Sequence, residues 1–211
     1  MLELKQLMAF RDRLVVDSAK HHVYNTDLHP CVAKPLRAVF KEYSAQCIQR
    51  SGSMIKNVDR MIKDHIAKDP VMLLQYKLLL SIDHVGPVLA TYLLATTELF
   101  TRMKLGCHAG VAPHDHSSGS SVRGRARVSH HADKRLKSLL HMAALGVTRS
   151  NTELSVYYRR KVAEGKNRMS VLNAVRNKIL LRVCAVIERG TPYEDRTAQQ
   201  QPVLPAPQLE V

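Results

Sequence analysis

Apolar residues recur at helical spacing along most of the chain, and no stretch alternates apolar and polar residues with β-branched enrichment. The pattern therefore predicts an all-α protein. In the first part of the chain it predicts two long helices, from Leu2 to about Tyr24 and from about Pro35 to Lys68, with a candidate interruption at Ser51-Gly52-Ser53. The narrow apolar stripes on both helices are typical of an extended, coiled-coil-like arm.

Shorter helices with marked ends are predicted in the rest of the chain. Asp69-Pro70 is a good N-cap and first-turn pair for the apolar helix "VMLLQYKLLLSI". Later boundaries are predicted at a capping box from Ser150 to Glu153, a stop at Gly165, a cap at Ser170 and a stop at Gly190. The predicted division is a helical connecting arm (1–69), a compact domain (70–190) and a Pro- and Gln-rich tail (191–211) expected to be disordered.

The net charge of +14 favours an anionic partner, with nucleic acid first and a membrane surface second, while a merely solvated basic face remains the alternative. No apolar run is long enough to span a bilayer, and no secretory signal is recognisable. The four cysteines form no C-x-x-C pair, which indicates reduced thiols and a cytoplasmic location. Tryptophan is absent and aromatic residues make up 5%, so no stacking platform for single strands is evident.

The stretch "LLLSIDHVGPVLATYLL" places two apolar helices around a very short turn that ends at Gly86. It resembles a helix-hairpin-helix, in which backbone N–H groups of the turn hold a phosphate without reading sequence. The usual turn has two glycines, and here His84 stands in place of the first. An ordinary αα-hairpin with a capping glycine is the alternative interpretation.

Basic residues are dense after this hairpin and are opposed locally only by Asp133. Clustered charge of this kind predicts salt-dependent phosphate binding, and a solvated face is the weaker alternative because acidic residues are so few. The residues expected to contact nucleic acid, together with Gly86, are Arg123, Arg125, Arg127, Lys134, Arg135 and, on one flank of the last helix, Lys178.

The segment "HDHSSGSSVRGRAR" runs from His114 to Arg127 and combines serines, glycines and arginines. A serine needs a group that takes its proton or stabilises its anion before it becomes a good nucleophile. Glycines allow close approach of the backbone, and arginines can neutralise a pentavalent phosphate. These ingredients suit attack on a phosphodiester, although most Ser/Gly/Arg loops are inert linkers.

Metal-capable side chains also gather near this segment. Their spacing matches no closed zinc pattern, so solvated loop histidines are favoured over a metal site. The residues are Cys107, His108, His114, Asp115, His116, His130 and His131.

Taken in order, "SIDHVGPVLATYLL", "HAGVAPHDHSSGSSVRGRARVSHHADKRLKSLLHMAAL" and "GKNRMSVLNAVRNKILLRVCAVIERGTPYED" resemble the C-terminal domain of the DEDD insertion-sequence transposases, relatives of the pilin-gene invertase. The resemblance covers about residues 72 to 195. The first helix, "LKQLMAFRDRLVV", is similar to the connecting coiled coil of that family.

The resemblance implies a DNA recombinase whose serine, in the "SG" step, joins covalently to DNA. That step is Ser118-Gly119 here, with Ser117 one residue away as the alternative. It also implies Mg²⁺ bound by the acidic residues of an N-terminal RuvC-like domain, DNA as partner, a structured guide RNA in some members and a homo-oligomer. No membrane partner is expected.

This sequence also departs from the family pattern. It begins inside the connecting helices, and its early acidic residues lie on predicted helices or turns, not on strands. The chain is therefore expected to be a fragment that lacks the RuvC-like domain and is inactive alone. A non-catalytic nucleic-acid-binding module, or a decayed transposase remnant, is the alternative. The residues that make poor substitutes for the acidic tetrad are Asp12, Asp17, Asp27 and Glu42.

Overall fold

A computed structural model describes residues 1–27, 31–96, 102–111, 113–118, 122–128 and 132–194 of the chain. The chain divides into two compact units, Met1–Leu73 and Leu74–Val211. The described residues form eight α-helices and one two-stranded sheet. The helical architecture predicted from the sequence is confirmed, and the small sheet is an addition that the sequence pattern did not predict. The functional division into an arm, a serine-bearing domain and a tail remains a prediction.

The first unit is an antiparallel pair of long helices, α1 (Leu2–Thr26) and α2 (Lys34–Ala67). The start of α1 lies beside the end of α2, because Glu3 is paired with His65 and Arg11 with Asp59. Leu4 of α1 is fully buried in this unit. The second helix continues without a break through residues 51–53, so the candidate interruption was wrong.

Local polar groups set several of the helix ends as the sequence predicts. The Asp69 carboxylate accepts hydrogen bonds from the N–H groups of Val71 (2.9 Å) and Met72 (3.2 Å), so it caps α3 (Pro70–Leu80) as predicted. Gly165 and Gly190 both have positive φ, at +81° and +67°, and both follow helix ends. A side chain is strained in that backbone region, which explains glycine at these stops.

Two predicted caps were wrong. The helix α7 (Glu153–Ala163) has Thr152 as its N-cap, while the Ser150 hydroxyl donates to the Val147 carbonyl at the end of the preceding helix. The last helix, α8 (Arg168–Arg189), is capped by Asn167, whose side chain accepts from the N–H groups of residues 169 and 170. In both places several capping-type residues stand close together, and local sequence preference does not decide between them.

The core of the second unit forms around α8. This helix packs against α5 (Arg102–His108), α6 (Lys134–Thr148) and α7, and α6 also packs against α4 (Pro87–Thr96). The fully buried side chains on α6 and α8 are apolar, and their spacing of three, four or seven residues places them on one face of each helix. They include Leu136, Leu140, Val175, Ile179 and Val186.

Between α5 and α6 the chain forms an antiparallel hairpin of β1 (Pro113–Ser118) and β2 (Val122–Val128). The register is irregular between His114 and His116. The sequence pattern did not indicate these two strands. These strands contain few apolar residues and β1 has no β-branched one, so they lack the alternation that identifies a half-buried strand.

The turn between α3 and α4 packs against α6. His84 has a φ of +65°, a backbone conformation for which glycine is the usual residue. Its imidazole fills the space beside Gly146, where an added Cβ would come within 2.9 Å of the His84 Nδ1 atom. The histidine thus occupies the first-glycine position of the hairpin-like turn and forms the contact with α6. The helix-hairpin-helix assignment itself remains a prediction.

This contact predicts energetic coupling between residues 84 and 146. In a helix, Gly→Ala normally stabilises by about 1 kcal/mol. We expect Gly146→Ala to give no such gain in the native sequence, because its Cβ meets His84, and to give it in the His84→Gly background. Urea unfolding of the four proteins should yield a coupling of about 1 kcal/mol. Additivity to within about 0.5 kcal/mol would show that the two residues do not interact.

Candidate nucleic-acid interface

The segment that carries the β-hairpin is held at both of its ends. At its start, Val111 is 1% exposed, and its carbonyl accepts a hydrogen bond from Asn173 Nδ2 of α8 at 3.1 Å. At its end, the backbone N–H of Asp133 donates to the His108 carbonyl at 2.8 Å. The hairpin thus begins and ends on α5 and its neighbours. We refer to Val111, Asp133 and their partners as the hairpin base.

Asp133 joins three helices at this base. Its carboxylate caps α6 by accepting from the N–H groups of Arg135 (2.8 Å) and Leu136 (3.0 Å). The same carboxylate accepts from the Tyr92 hydroxyl of α4 at 2.6 Å and lies 3.5 Å from His108 Nε2 of α5. The sequence analysis treated Asp133 only as a lone acid among bases. Its position just before an amphipathic run is an N-cap signal that indicates part of this role.

The backbone register locates the predicted nucleophile and its arginines. Ser118 is the last residue of β1 and pairs with Val122, while Ser117 pairs with Arg123. Arg125 and Arg127 follow in the same strand, β2. The structure thus brings both candidate serines and the three arginines into one hairpin. Residues 119–121 lie outside the described residues, as do the histidines at 130 and 131.

Two further predicted residues stand at the hairpin base. Lys134 is the first residue of α6 and is exposed, and Arg135 follows it and is partly buried. Both directly follow Asp133, so they lie at the end of α6 from which the hairpin emerges. The N-terminus of a helix carries partial positive charge, which adds to the attraction of these side chains for an anion.

Gly86 lies at the turn before α4, the helix that carries Tyr92 to the hairpin base. Its carbonyl accepts from the Ala90 N–H at 2.9 Å, which closes the first turn of α4. A Cβ built on Gly86 would meet no atom within 4 Å. Space therefore exists for another molecule to approach the backbone here.

Lys178 lies in a groove between α7 and α8. Its surroundings differ from those of the other residues predicted to contact nucleic acid. Its Nζ atom is 4.5 Å from the centre of the Tyr157 ring, and the Arg160 guanidinium is 5.9 Å from the same ring. The cation and the ring attract each other through the quadrupole of the aromatic face. The sequence analysis placed Lys178 on a basic flank of the last helix, and the structure adds the aromatic partner.

Arg176 is a buried cation that the sequence analysis missed. Its side chain belongs to a residue only 8% exposed, and among the described residues its Nε atom has no hydrogen-bond partner. Burial lowers the pKa of the Arg176 guanidinium, because the charged form loses solvation. The helical spacing to Leu172 and Ile179 was the available signal, since it places residue 176 on the apolar face of α8.

Two alternative roles, a metal site and a membrane-spanning helix, were tested on the described residues only. Among them, no group of three or more His, Cys, Asp or Glu residues could hold a metal ion. His114, Asp115 and His116 of the proposed cluster lie in β1 and fall outside that search. None of the described helices is both long enough and apolar enough to cross a membrane.

The segment that contains the hairpin is similar to known proteins. Residues 76–159 match a family model described as Transposase IS116/IS110/IS902 family. The chain is 26% identical over 161 residues to the pilin gene-inverting proteins of Moraxella lacunata and Moraxella bovis, which covers 74% of this chain and 50% of each relative. It is also 30% identical over 122 residues to the insertion element IS110 uncharacterized 43.6 kDa protein of Streptomyces coelicolor, which covers 56% of this chain and 30% of that protein.

The chain thus spans about half the length of the first two relatives, or less for the third. The matched segment runs from α3 through the turn at Gly86 and the β-hairpin to α7. It contains both stretches that the sequence analysis selected for chemistry. The resemblance found in the sequence is therefore confirmed: the matched residues of this chain are similar to the C-terminal region of IS110-type transposases.

Proposed function

We propose that this chain takes part in DNA transposition or inversion, and that its β-hairpin is the part that meets a DNA phosphate. The observation that carries the proposal is the hairpin itself. Within the family-matched segment, candidate serines and three arginines share two paired strands. The hairpin base holds both ends of that segment on the helical core. Relatives named for pilin gene inversion support DNA as the substrate.

In the proposed reaction, the Ser118 oxygen attacks the phosphorus of a DNA phosphodiester. A serine–phosphate bond forms, the bond from phosphorus to the leaving DNA oxygen breaks, and the serine proton is passed on so that the leaving oxygen departs as a hydroxyl. Arg123 and Arg125 stabilise the negative charge that develops on the phosphoryl oxygens. The phosphodiester energy is conserved in the adduct, so a DNA hydroxyl can reverse the step on a new partner.

Ser117 is the alternative nucleophile. The register pairs Ser117, and not Ser118, with Arg123. Residues directly opposite each other in an antiparallel pair are the closest cross-strand neighbours. The family motif favours Ser118 and the register favours Ser117, so the two serines form a natural matched pair for mutation.

The other predicted residues bind DNA without taking part in the bond changes. Lys134, Arg135 and Arg127 lie at or near the hairpin base and attract phosphates. Gly86 offers backbone N–H groups of the turn and of the first residues of α4 to a phosphate. Such contacts position the duplex and do not read its sequence.

Mg²⁺ is implied by the family resemblance. The described side chains contain no group that could hold a metal ion, so they do not fit such a site. We therefore assign Mg²⁺ to a RuvC-like domain and derive no step through it. The second candidate function is a nucleic-acid-binding module without catalysis, which the net charge of +14 supports.

The two serines give the first test. The 211-residue chain, supplied with a RuvC-like domain of a relative and Mg²⁺, is incubated with a nicked DNA substrate, and covalent protein–DNA adducts are measured on denaturing gels. We expect Ser118→Ala to abolish the adduct, because it removes the proposed attacking oxygen, and Ser117→Ala to retain it. The chain without the added domain should bind DNA and form no adduct.

Other outcomes are equally informative. An adduct that survives Ser118→Ala and disappears with Ser117→Ala would move the nucleophile to Ser117. Adduct at the native level in the double variant, Ser117→Ala with Ser118→Ala, would exclude a serine of β1. DNA binding without an adduct under any condition would favour the non-catalytic module.

A glycine pair gives the second test, on DNA binding by the turn. The turn at Gly86 has room for a methyl group, so Gly86→Ala should change the free energy of unfolding by less than about 0.5 kcal/mol. If a phosphate approaches this backbone, the methyl group obstructs it and DNA affinity should fall about tenfold, the equivalent of one charge-assisted hydrogen bond. Fluorescence anisotropy measures the affinity, and thermal unfolding measures the stability.

Gly52→Ala is the matched control. Gly52 also has no atom within 4 Å of a built Cβ, and it lies in α2 of the first unit. This variant should leave DNA affinity unchanged and stabilise its helix by about 1 kcal/mol. Equal DNA affinities for the two variants would remove Gly86 from the interface.

A further inference from the structure

A second charged surface lies in the groove between α7, α8 and residues 191–194. The groove has a volume of about 1030 Å³. Its lining includes more basic than acidic side chains, with Glu153 and Glu194 as the carboxylates. The basic residues are Arg160, Lys178, Arg182 and Arg189. We refer to this surface as the α7–α8 groove.

One wall of the groove is fixed by a network around Glu153. Arg182 Nη2 is 2.6 Å from the Glu153 carboxylate, and the Tyr193 hydroxyl donates to the same carboxylate at 3.3 Å. The Arg182 guanidinium also lies 4.5 Å from the centre of the Tyr193 ring. The Tyr193 N–H donates to the Ser81 hydroxyl at 2.7 Å, which holds the segment after α8 in place. The charge of Arg182 is therefore compensated within the wall.

The other cations keep their capacity to bind an anion. Lys178 has a neutral aromatic ring, Tyr157, as its neighbour. The Arg160 side chain is 64% exposed and lies 3.8 Å from Glu164, a carboxylate that pairs more closely with Lys161, at 2.6 Å. The Lys161 hydrogen bond lowers the pKa of Glu164. Arg189, at the end of α8, is exposed.

We propose that the α7–α8 groove binds an unpaired segment of nucleic acid, with phosphates at Lys178, Arg160 and Arg189 and a base against Tyr157. The inference rests on the proposed function, since it assumes that the chain acts on nucleic acid, and it adds a second site to the hairpin. Positive grooves with aromatic rings are the usual design of single-strand sites, because every base has a face that stacks.

A duplex fits this surface less well than a single strand. The outside of a duplex offers phosphates to the cations, but its bases are stacked inside and cannot stack against Tyr157. The groove is as large as the upper end of the usual ligand pockets, about 1,000 Å³, so it has room for a nucleotide and its phosphates. The low aromatic content of the sequence indicated no stacking platform. The structure instead concentrates two of the seven tyrosines in one basic groove.

Charge removal gives the first experiment. Binding of the full chain to fluorescent single-stranded DNA and RNA of the same sequence is followed by anisotropy at several salt concentrations. We expect Lys178→Gln with Arg189→Gln to weaken binding and to reduce the slope of log K against log salt by about 0.7 per lost phosphate contact. The control, Lys166→Gln with Arg168→Gln, removes the same two charges from exposed residues near the start of α8, outside the groove, and should change the slope less.

Ring removal gives the second experiment. Tyr157→Phe keeps the ring and should bind as the native chain does. Tyr157→Leu keeps an apolar side chain but removes the stacking surface, and it should lower single-strand affinity about fivefold or more. Binding to duplex DNA should be the same for both variants. Thermal unfolding confirms that each variant is folded.

The outcomes separate this proposal from the proposed function. If the groove pair and its control behave alike, or if Tyr157→Leu binds single strands as well as Tyr157→Phe, the groove proposal is wrong. If nucleic-acid binding is lost only in a hairpin variant, Arg123→Gln with Arg125→Gln, the groove proposal is wrong and the proposed function is not. If the native chain binds neither DNA nor RNA, the proposed function itself is wrong. If the groove variants lose binding to single-stranded DNA, RNA or both, the proposal is supported, and the result shows which nucleic acid the groove binds.

Discussion

The position of the β-hairpin depends on the hydrogen bonds of one carboxylate, that of Asp133. It caps α6 through two N–H groups and accepts the Tyr92 hydroxyl, while the backbone of the same residue is tied to α5. Each bond is worth only about 1 kcal/mol net, but a buried donor left without a partner costs about 1–3 kcal/mol. Because these groups belong to three helices, the carboxylate fixes the end of α6 relative to α4 and α5, and the hairpin leaves the core from that point.

The hairpin needs such a base because the sequence of its strands offers few apolar residues for a core. An isolated two-stranded hairpin is marginally stable in water, and β1 and β2 are mostly polar. Asn173 at one end and Asp133 at the other provide the fixed points that a hydrophobic face would otherwise supply. The polar residues of the two strands are unfavourable for folding, but they suit a surface that binds an anionic backbone. The serine and arginine side chains are then not needed for a core.

The sequence predicts best what depends on neighbours along the chain. The two long helices, the cap at Asp69 and the glycine stops follow from local chemistry and were confirmed. The caps assigned to Ser150 and Ser170 were wrong, because nearby Thr152 and Asn167 are also capping-type residues and occupy the N-cap positions. The strands were not predicted because their sequences do not alternate between apolar and polar residues. The bond from Tyr92 to Asp133 and the contact of His84 with Gly146 join residues far apart in sequence, which no local pattern reveals.

The last helix connects the two proposed surfaces. Asn173 holds the start of the hairpin segment, and Lys178, five residues later, lies against Tyr157 in the α7–α8 groove. At a rise of about 1.5 Å per residue, these positions are about 7.5 Å apart along the axis and on different sides of the helix. The helix between them is anchored by buried residues such as Val175 and Ile179. A strand in the groove and a phosphate at the hairpin would therefore be held at a fixed separation by one rigid element, which is the geometric condition for presenting a chosen phosphodiester to a serine.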